Sequence, residues 1–370
     1  MGYGAGVWRA GASAVAVGIG WVGGVIGLAA LPLATAAQSS PSRLAHPDRA
    51  TDVLVVSRPP DLPRLHHTHL NTLDADAALD TYIEIWPEGR RGEVAGFPAF
   101  VAAVPALFTE VSEPSAGAWD PQRHRAYPQS PFWHIGAFDD TTGRFEALEA
   151  RGHTVLRLAR HADDAEGVLR SGLAGDEPRP GGFGYLVGPD GALVEITGGP
   201  RTEPAFAHVH LFGEAPRCAA NWYAEVLGFT LPDRRDPETG ERTPRERYEP
   251  CEDARAAPTW PSLEPAGTIR GPTATIRHAS GTISIYPRQC LGEHCEVDEP
   301  LVPSRGQVLD HIAFEVEDLG AWIRWLESRG VVVLEPRRPF GPADTNTTDA
   351  PDSVMIEGPD GLVIELVQGA

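Results

Sequence analysis

Two strings lying 170 residues apart limit the fold more than anything else in this chain: Gly188-Pro189-Asp190-Gly191-Ala192-Leu193-Val194-Glu195-Ile196 and Gly358-Pro359-Asp360-Gly361-Leu362-Val363-Ile364-Glu365-Leu366. A second pair repeats as well. His67-Thr68-His69-Leu70 is followed by Tyr82, and His208-Val209-His210-Leu211 by Tyr223, with 15 positions from first His to Tyr in both copies. Trp133-His134-Ile135 and Asp310-His311-Ile312 open two further segments of similar shape. A layout recurring at this length implies stacked or paired copies of one supersecondary unit rather than a single irregular domain.

Each segment opens on a short alternating strand and continues into a helical pattern. The patterns cover Asp76 to Trp86, Thr142 to Arg151, Pro216 to Leu227 and Leu319 to Arg329. Further strands follow, the last two joined by a Pro-Asp-Gly turn in which Pro presets φ and Gly accepts φ > 0. The units are therefore expected at 63–130, 131–200, 205–290 and 307–370, each a βαβββ element. The fold class is α+β with concave mixed sheets. Residues 233–265, rich in Arg, Glu and Pro, are expected as an insertion in the third unit, lying over a cavity.

Side chains on a strand alternate between faces. Val209 and Leu211 oppose His208 and His210; Ile312, Phe314 and Val316 oppose His311. Val194 and Ile196 oppose Glu195, and Ile364 and Leu366 oppose Glu365. The apolar face packs on the helices, which leaves the His and Glu side chains together on the concave face. Two His with one carboxylate make a facial ligand set with open positions for substrate or water. Mixed N and O donors suit divalent Zn, Ni, Co, Mn or Fe. His69 and His210, two residues beyond His67 and His208 on the same face, are candidate general bases. Trp86, Trp222, Trp322 and Trp325 fall on helices and are expected in the core.

The pattern of His, a seven-residue step to Asp, a helix carrying Tyr and a closing Gly-Pro-Asp-Gly-x-x-x-Glu resembles the vicinal oxygen chelate superfamily (glyoxalases, bleomycin resistance proteins and extradiol dioxygenases). His67 with Asp74 and His311 with Asp318 keep the step; Ala215 departs from it after His208. The resemblance covers residues 63–370 and implies two tandem domains, 63–200 and 201–370. It implies metal sites made of His67, His134 and Glu195, and of His208, His311 and Glu365. In the family's glyoxalases and epimerases a Glu or Gln from the first unit's last strand completes the site. With Leu107, Thr109 and Val111 toward the helix, Glu110 is expected there as ligand and proton carrier. Ile283 and Ile285 face the helix in the third unit, so Tyr286 is expected in the corresponding place.

The formal charge of −20 disfavours nucleic acid or an anionic membrane as partner, since both call for clustered Lys and Arg; a small molecule is the expected ligand. Residues 1–37 carry Arg9 alone among charged residues. They run uncharged from Ala10 to Ala34-Thr35-Ala36-Ala37, the form of an export signal or N-terminal anchor. A linker, 38–62, follows. Export to a periplasmic or extracellular compartment is thus expected. Cys218, Cys251, Cys290 and Cys295 then suggest two disulfides, Cys290–Cys295 and Cys218–Cys251. Asn346-Thr347-Thr348 matches a glycosylation acceptor. Three functions are open: a metal-dependent lyase or isomerase working through an enediolate, a ring-cleaving dioxygenase, and a small-molecule-binding resistance protein.

Overall fold

The computed structural model describes residues 58–113, 118–120, 125–139, 143–156, 168–169, 183–198, 205–251, 269–270, 272–288, 300–342 and 351–369. The export segment, the linker to residue 57, Cys290, Cys295 and Asn346 lie outside the described residues.

The repeat is realised as four units. The first is β1 (Arg64–Thr72), α1 (Ala75–Ile85), β2 (Arg90–Val94), β3 (Phe97–Val101) and β4 (Ala106–Glu110). The second is β5 (Phe132–Phe138), α2 (Arg144–Ala150), β6 (Thr154–Leu156), β7 (Phe183–Val187) and β8 (Leu193–Thr197). The third has β9 (Ala205–Gly213), α3 (Pro216–Leu227), β10 (Ala274–His278) and β11 (Gly281–Pro287), with a bridge from Thr230 to Arg277 in place of its second strand. The fourth has β12 (Leu309–Val316), α4 (Leu319–Ser328), β13 (Val333–Pro339), β14 (Asp352–Glu357) and β15 (Val363–Gln368).

The Asp of the seven-residue step has a local job. Asp74 and Asp318 are N-caps whose carboxylates accept from Ala77 N at 2.9 Å and Ala321 N at 2.8 Å, satisfying backbone donors that the helix leaves open. At the departure, Ala215 offers no side-chain cap, and Pro216 begins α3 with a residue that has no N–H to satisfy. In both Pro-Asp-Gly turns the Asp as well as the Gly takes positive φ, +54° and +82° at Asp190 and Gly191, and +58° and +80° at Asp360 and Gly361. Asp and Gly are residues that accept this conformation at low cost. Asp190 Oδ2 then accepts from Thr72 Oγ1 and Leu73 N, and Asp360 Oδ2 from Glu214 N, so the turns tie unit two to unit one and unit four to unit three.

The sheets pair the units differently. One eight-stranded sheet runs β13-β14-β15-β12-β1-β4-β3-β2, joining the fourth unit to the first through antiparallel β12 and β1. A seven-stranded sheet runs β10-β11-β9-β5-β8-β7-β6, joining the third unit to the second through β9 and β5. Each sheet therefore draws on both halves of the chain, and residues 55–370 are one compact unit. This corrects the assignment of a self-contained sheet pair to 63–200 and another to 201–370.

The apolar faces of both sheets and all four helices share one core. Tyr82, Phe145, Tyr223, Trp322 and Trp325 from the helices pack with Ile135, Val194, Val209, Ile312 and Ile364 from the strands. Trp86, Trp322 and Trp325 are fully buried, as expected of core residues, while Trp222 is only partly so. The insertion in the third unit is anchored to the helix layer over its described part. Asn221 on α3 donates to Tyr248 O and accepts from Tyr248 N, and Cys218 is disulfide-bonded to Cys251.

Candidate metal centres

Residue parity holds where it was most informative. Val209, Leu211, Ile312, Phe314, Val194 and Ile364 face the helices, so His208, His210, His311, Glu195 and Glu365 stand on the concave faces. The grouping differs from expectation because the sheets do. His67, His69, His311 and Glu365 meet on the eight-stranded sheet, and His134, Glu195, His208 and His210 on the seven-stranded one. His67 is not grouped with His134 and Glu195, nor His208 with His311 and Glu365. The strand registers show why the two clusters look alike: His69 lies opposite His311, and His210 opposite His134.

On the seven-stranded sheet three imidazoles converge on one carboxylate oxygen. Glu195 Oε2 is 2.6 Å from His134 Nε2, 3.4 Å from His210 Nδ1 and 3.8 Å from His208 Nε2, and Thr197 donates to Oε1. Burial pushes the Glu195 carboxyl up, but the three imidazoles outweigh it and hold the group well below the usual range. Burial lowers His134 to about 3 against the pull of that carboxylate. An ionised Glu195 facing a neutral His134 is the protonation state a divalent cation needs.

On the eight-stranded sheet Glu365 Oε2 lies 3.5 Å from both His67 Nε2 and His311 Nε2. Glu365 is 1% exposed, and neither of its oxygens has a hydrogen-bond partner; nor do those two imidazole nitrogens. A buried carboxylate without hydrogen bonds is costly unless a cation offsets it, so the donor set fits a divalent metal. Behind it, Asp310 Oδ1 is 2.7 Å from His311 Nδ1, while Asp310 Oδ2 accepts from Asn71 and from Gly306 N. A carboxylate that fixes the far nitrogen of a ligand His orients the ring and raises its basicity. Burial pulls His311 down, but Asp310 and Glu365 raise it to about 9. Burial and the neighbouring His311 hold His67 and His69 well below 6.5. His69 stacks on His311 with ring centres 4.6 Å apart, and its Nε2 is 2.7 Å from Thr109 Oγ1. The cluster opens into a cavity of about 500 Å³ whose lining includes Asn71, Thr109 and Arg305 together with Phe97, Phe340 and Met355.

Glu110 does not join either site. It is exposed at the end of β4, and its Oε1 accepts from Ala75 N at the start of α1. Ala106 and Phe108 face the helices, whereas Leu107 packs with Phe97, Ala99 and Phe340 and Thr109 lines the cavity, the reverse of the expected parity. The strand is apolar on both faces, so alternation in its sequence carries no directional signal. Tyr286 does stand on the concave face, 5.2 Å from the His210 ring. Its structural counterpart is Thr109: Asn71 pairs with Thr109 as Phe212 pairs with Tyr286.

Strand alternation assigns Asp310 no role beside His311, since neighbours on a strand point to opposite faces. The ladder slips between His69/His311 and Leu70/Leu309, leaving Asp310 as the extra residue of a bulge that lets it reach its neighbour's ring. Trp133 is the extra residue in the other sheet. A bulge is not legible in hydrophobic alternation.

Comparison with known proteins agrees with this architecture. The family described as Glyoxalase/Bleomycin resistance protein/Dioxygenase superfamily matches residues 205–366. Glyoxalase I from Zea mays superimposes with a TM-score of 0.50 at 14% identity, covering 83% of this chain and 92% of that one. Two single-substitution variants of that enzyme give 0.51 at the same identity, covering 83% of this chain and 92% and 94% of theirs. No curated protein sequence matches the chain. Residues 205–366 thus carry the sequence pattern of the Glyoxalase/Bleomycin resistance protein/Dioxygenase superfamily, and the fold of the described residues is similar to that of the Zea mays enzyme.

Proposed function

We propose that the eight-stranded sheet carries the reactive centre of an exported metal-dependent enzyme acting on a small molecule with adjacent oxygens, and that the reaction is oxygenase-like ring cleavage. His67, His311 and Glu365 would hold the ion, and a divalent ion there would act as a Lewis acid toward two neighbouring substrate oxygens. The observation that carries the choice is the fourth position. Thr109 stands there instead of a carboxylate, so a facial set of three donors faces an open cavity, the arrangement of oxygen-activating sites. Phe97, Phe340 and Met355 supply apolar lining suited to an aromatic ring, and Asn71 and Arg305 supply polar contacts in the same cavity. His69, kept neutral by burial and tethered to Thr109, can accept a hydroxyl proton and return it.

Enediolate isomerisation is the second reading, and His69 would be its base now that Glu110 is placed elsewhere. Reconstituting the purified protein with Fe(II), Mn(II), Ni(II) or Zn(II) and assaying catechols beside α-hydroxycarbonyl compounds separates them. Oxygen uptake matched to ring opening, reduced about 10²- to 10⁴-fold in His69→Gln at unchanged metal content, is expected. Turnover without oxygen uptake would favour isomerisation, and full turnover in Glu365→Ala would overturn the assignment of the site.

A further inference from the structure

The two clusters share their donors and differ in everything around them. The registers equate His67 with His208, His69 with His210, His311 with His134 and Glu365 with Glu195. The same registers equate four neighbours. Asn71 corresponds to Phe212 and Thr109 to Tyr286. Asp310 corresponds to Trp133 as the bulged residue, and Met355 to Tyr185 as the partner of the ligand Glu. Every side chain that lines the cavity of the eight-stranded sheet at these positions is replaced by an aromatic ring in the seven-stranded one.

Those rings fill the space. Trp133 stacks on Phe212 with centres 4.5 Å apart and meets Tyr286 edge-on at 4.9 Å and Tyr185 at 5.7 Å. All four are at least nine-tenths buried and pack with Leu156, Leu193 and Leu301. The carboxylate beneath them also sits closer to an imidazole: Glu195 Oε2 is 2.6 Å from His134 Nε2, whereas Glu365 Oε2 is 3.5 Å from both His67 and His311. His210, with 17% of its side chain exposed, is the donor nearest solvent. Its counterpart His69 is held by Thr109, whereas His210 Nδ1 points at the carboxylate. Structural metal sites use a closed set of four protein donors, and catalytic ones keep a position open.

We propose that His134, Glu195, His208 and His210 form a closed four-donor structural metal site, sealed by Trp133, Tyr185, Phe212 and Tyr286, and that the chain therefore carries two unequal metals. The three imidazoles and one carboxylate suit a tetrahedral ion such as Zn(II). The inference is read from metal retention rather than turnover, so it stands or falls separately from the reaction proposed for the other sheet.

Full-length protein reconstituted with Co(II), then dialysed against a chelator, tests it by metal content and by the visible d–d bands, which are intense for four-coordinate Co(II). Two equivalents should bind, with one removed quickly and one retained with intense bands. Glu365→Gln should abolish the fast equivalent and leave the retained one, and Phe212→Asn should release the retained ion about tenfold or more faster, the scale on which shells around a metal site act. Loss of both equivalents at one rate, or disappearance of the retained equivalent in Glu365→Gln, would overturn the proposal. The Glu365→Gln arm leaves every group of the closed site intact, so it remains decisive if Phe212→Asn fails to fold.

Discussion

Replacing Glu365 by Gln should change sign as a stability mutation when metal is removed. The side chain is 1% exposed, both oxygens lack hydrogen bonds, and the nearest groups are His67 Nε2 and His311 Nε2 at 3.5 Å. In chelator, Gln keeps the shape and removes a buried charge at the cost of its pairing with His311, which is cationic at neutral pH with a pKa of about 9 and retains Asp310. Breaking a buried pair is costly when it strands the remaining charge, but His311 keeps Asp310 as its counter-ion, so the variant should be about as stable as the parent or slightly more so. With free metal at a hundred times Kd, the parent gains about 2.7 kcal/mol by linkage. The variant forgoes it, which is a melting-temperature deficit of roughly 5 °C for a unit of this size. Calorimetric melts of both proteins, each with chelator and with metal, give the four values required. A deficit of the same size under both conditions would refute the reasoning, because it would make Glu365 a packing residue rather than a ligand.

Three further outcomes follow from the same structure. Glu110→Ala should leave metal content unchanged and cost roughly 0.5–1 kcal/mol by urea unfolding, the scale of an exposed carboxylate at a helix N-terminus; loss of a metal equivalent would restore Glu110 to a site. Burial lowers His278 to about 4, so it is neutral in the folded state and titrates near 6.5 when unfolded. Its contribution is complete above pH 6.5 and lost on acidification to pH 4, a difference of roughly 3 kcal/mol between parent and His278→Gln that stability curves at the two pH values would detect or exclude. Breaking the Cys218–Cys251 disulfide, which spans 33 residues, should cost about 3.5 kcal/mol through the entropy of the unfolded chain; equal denaturation midpoints for parent and Cys218→Ser would contradict that.

Much of the site was legible before the fold. The repeated Gly-Pro-Asp-Gly turn marks where the hairpins close, the seven-residue step marks Asp74 and Asp318 as caps, and alternation places His208, His210, His311, Glu195 and Glu365 away from the helices. These are local properties, each decided within a few residues by backbone geometry and by which face is apolar. The misplaced Glu110 and the unassigned Asp310 mark the limits of that reasoning. One lies on a strand buried on both faces, and the other on a bulge.

Which units share a sheet was decided only by the tertiary structure. Four βαβββ units with similar faces present similar edges, so local pattern alone permits the first unit to pair with the second or with the fourth. The choice is made where β1 meets β12 and β9 meets β5. That choice puts His67 beside His311 and His134 beside His208, and sets polar groups around one carboxylate and aromatic rings around the other. Donor types are written in single strands, but a metal centre is a relation between strands, and strands are brought together by edges and cores that the local sequence does not specify.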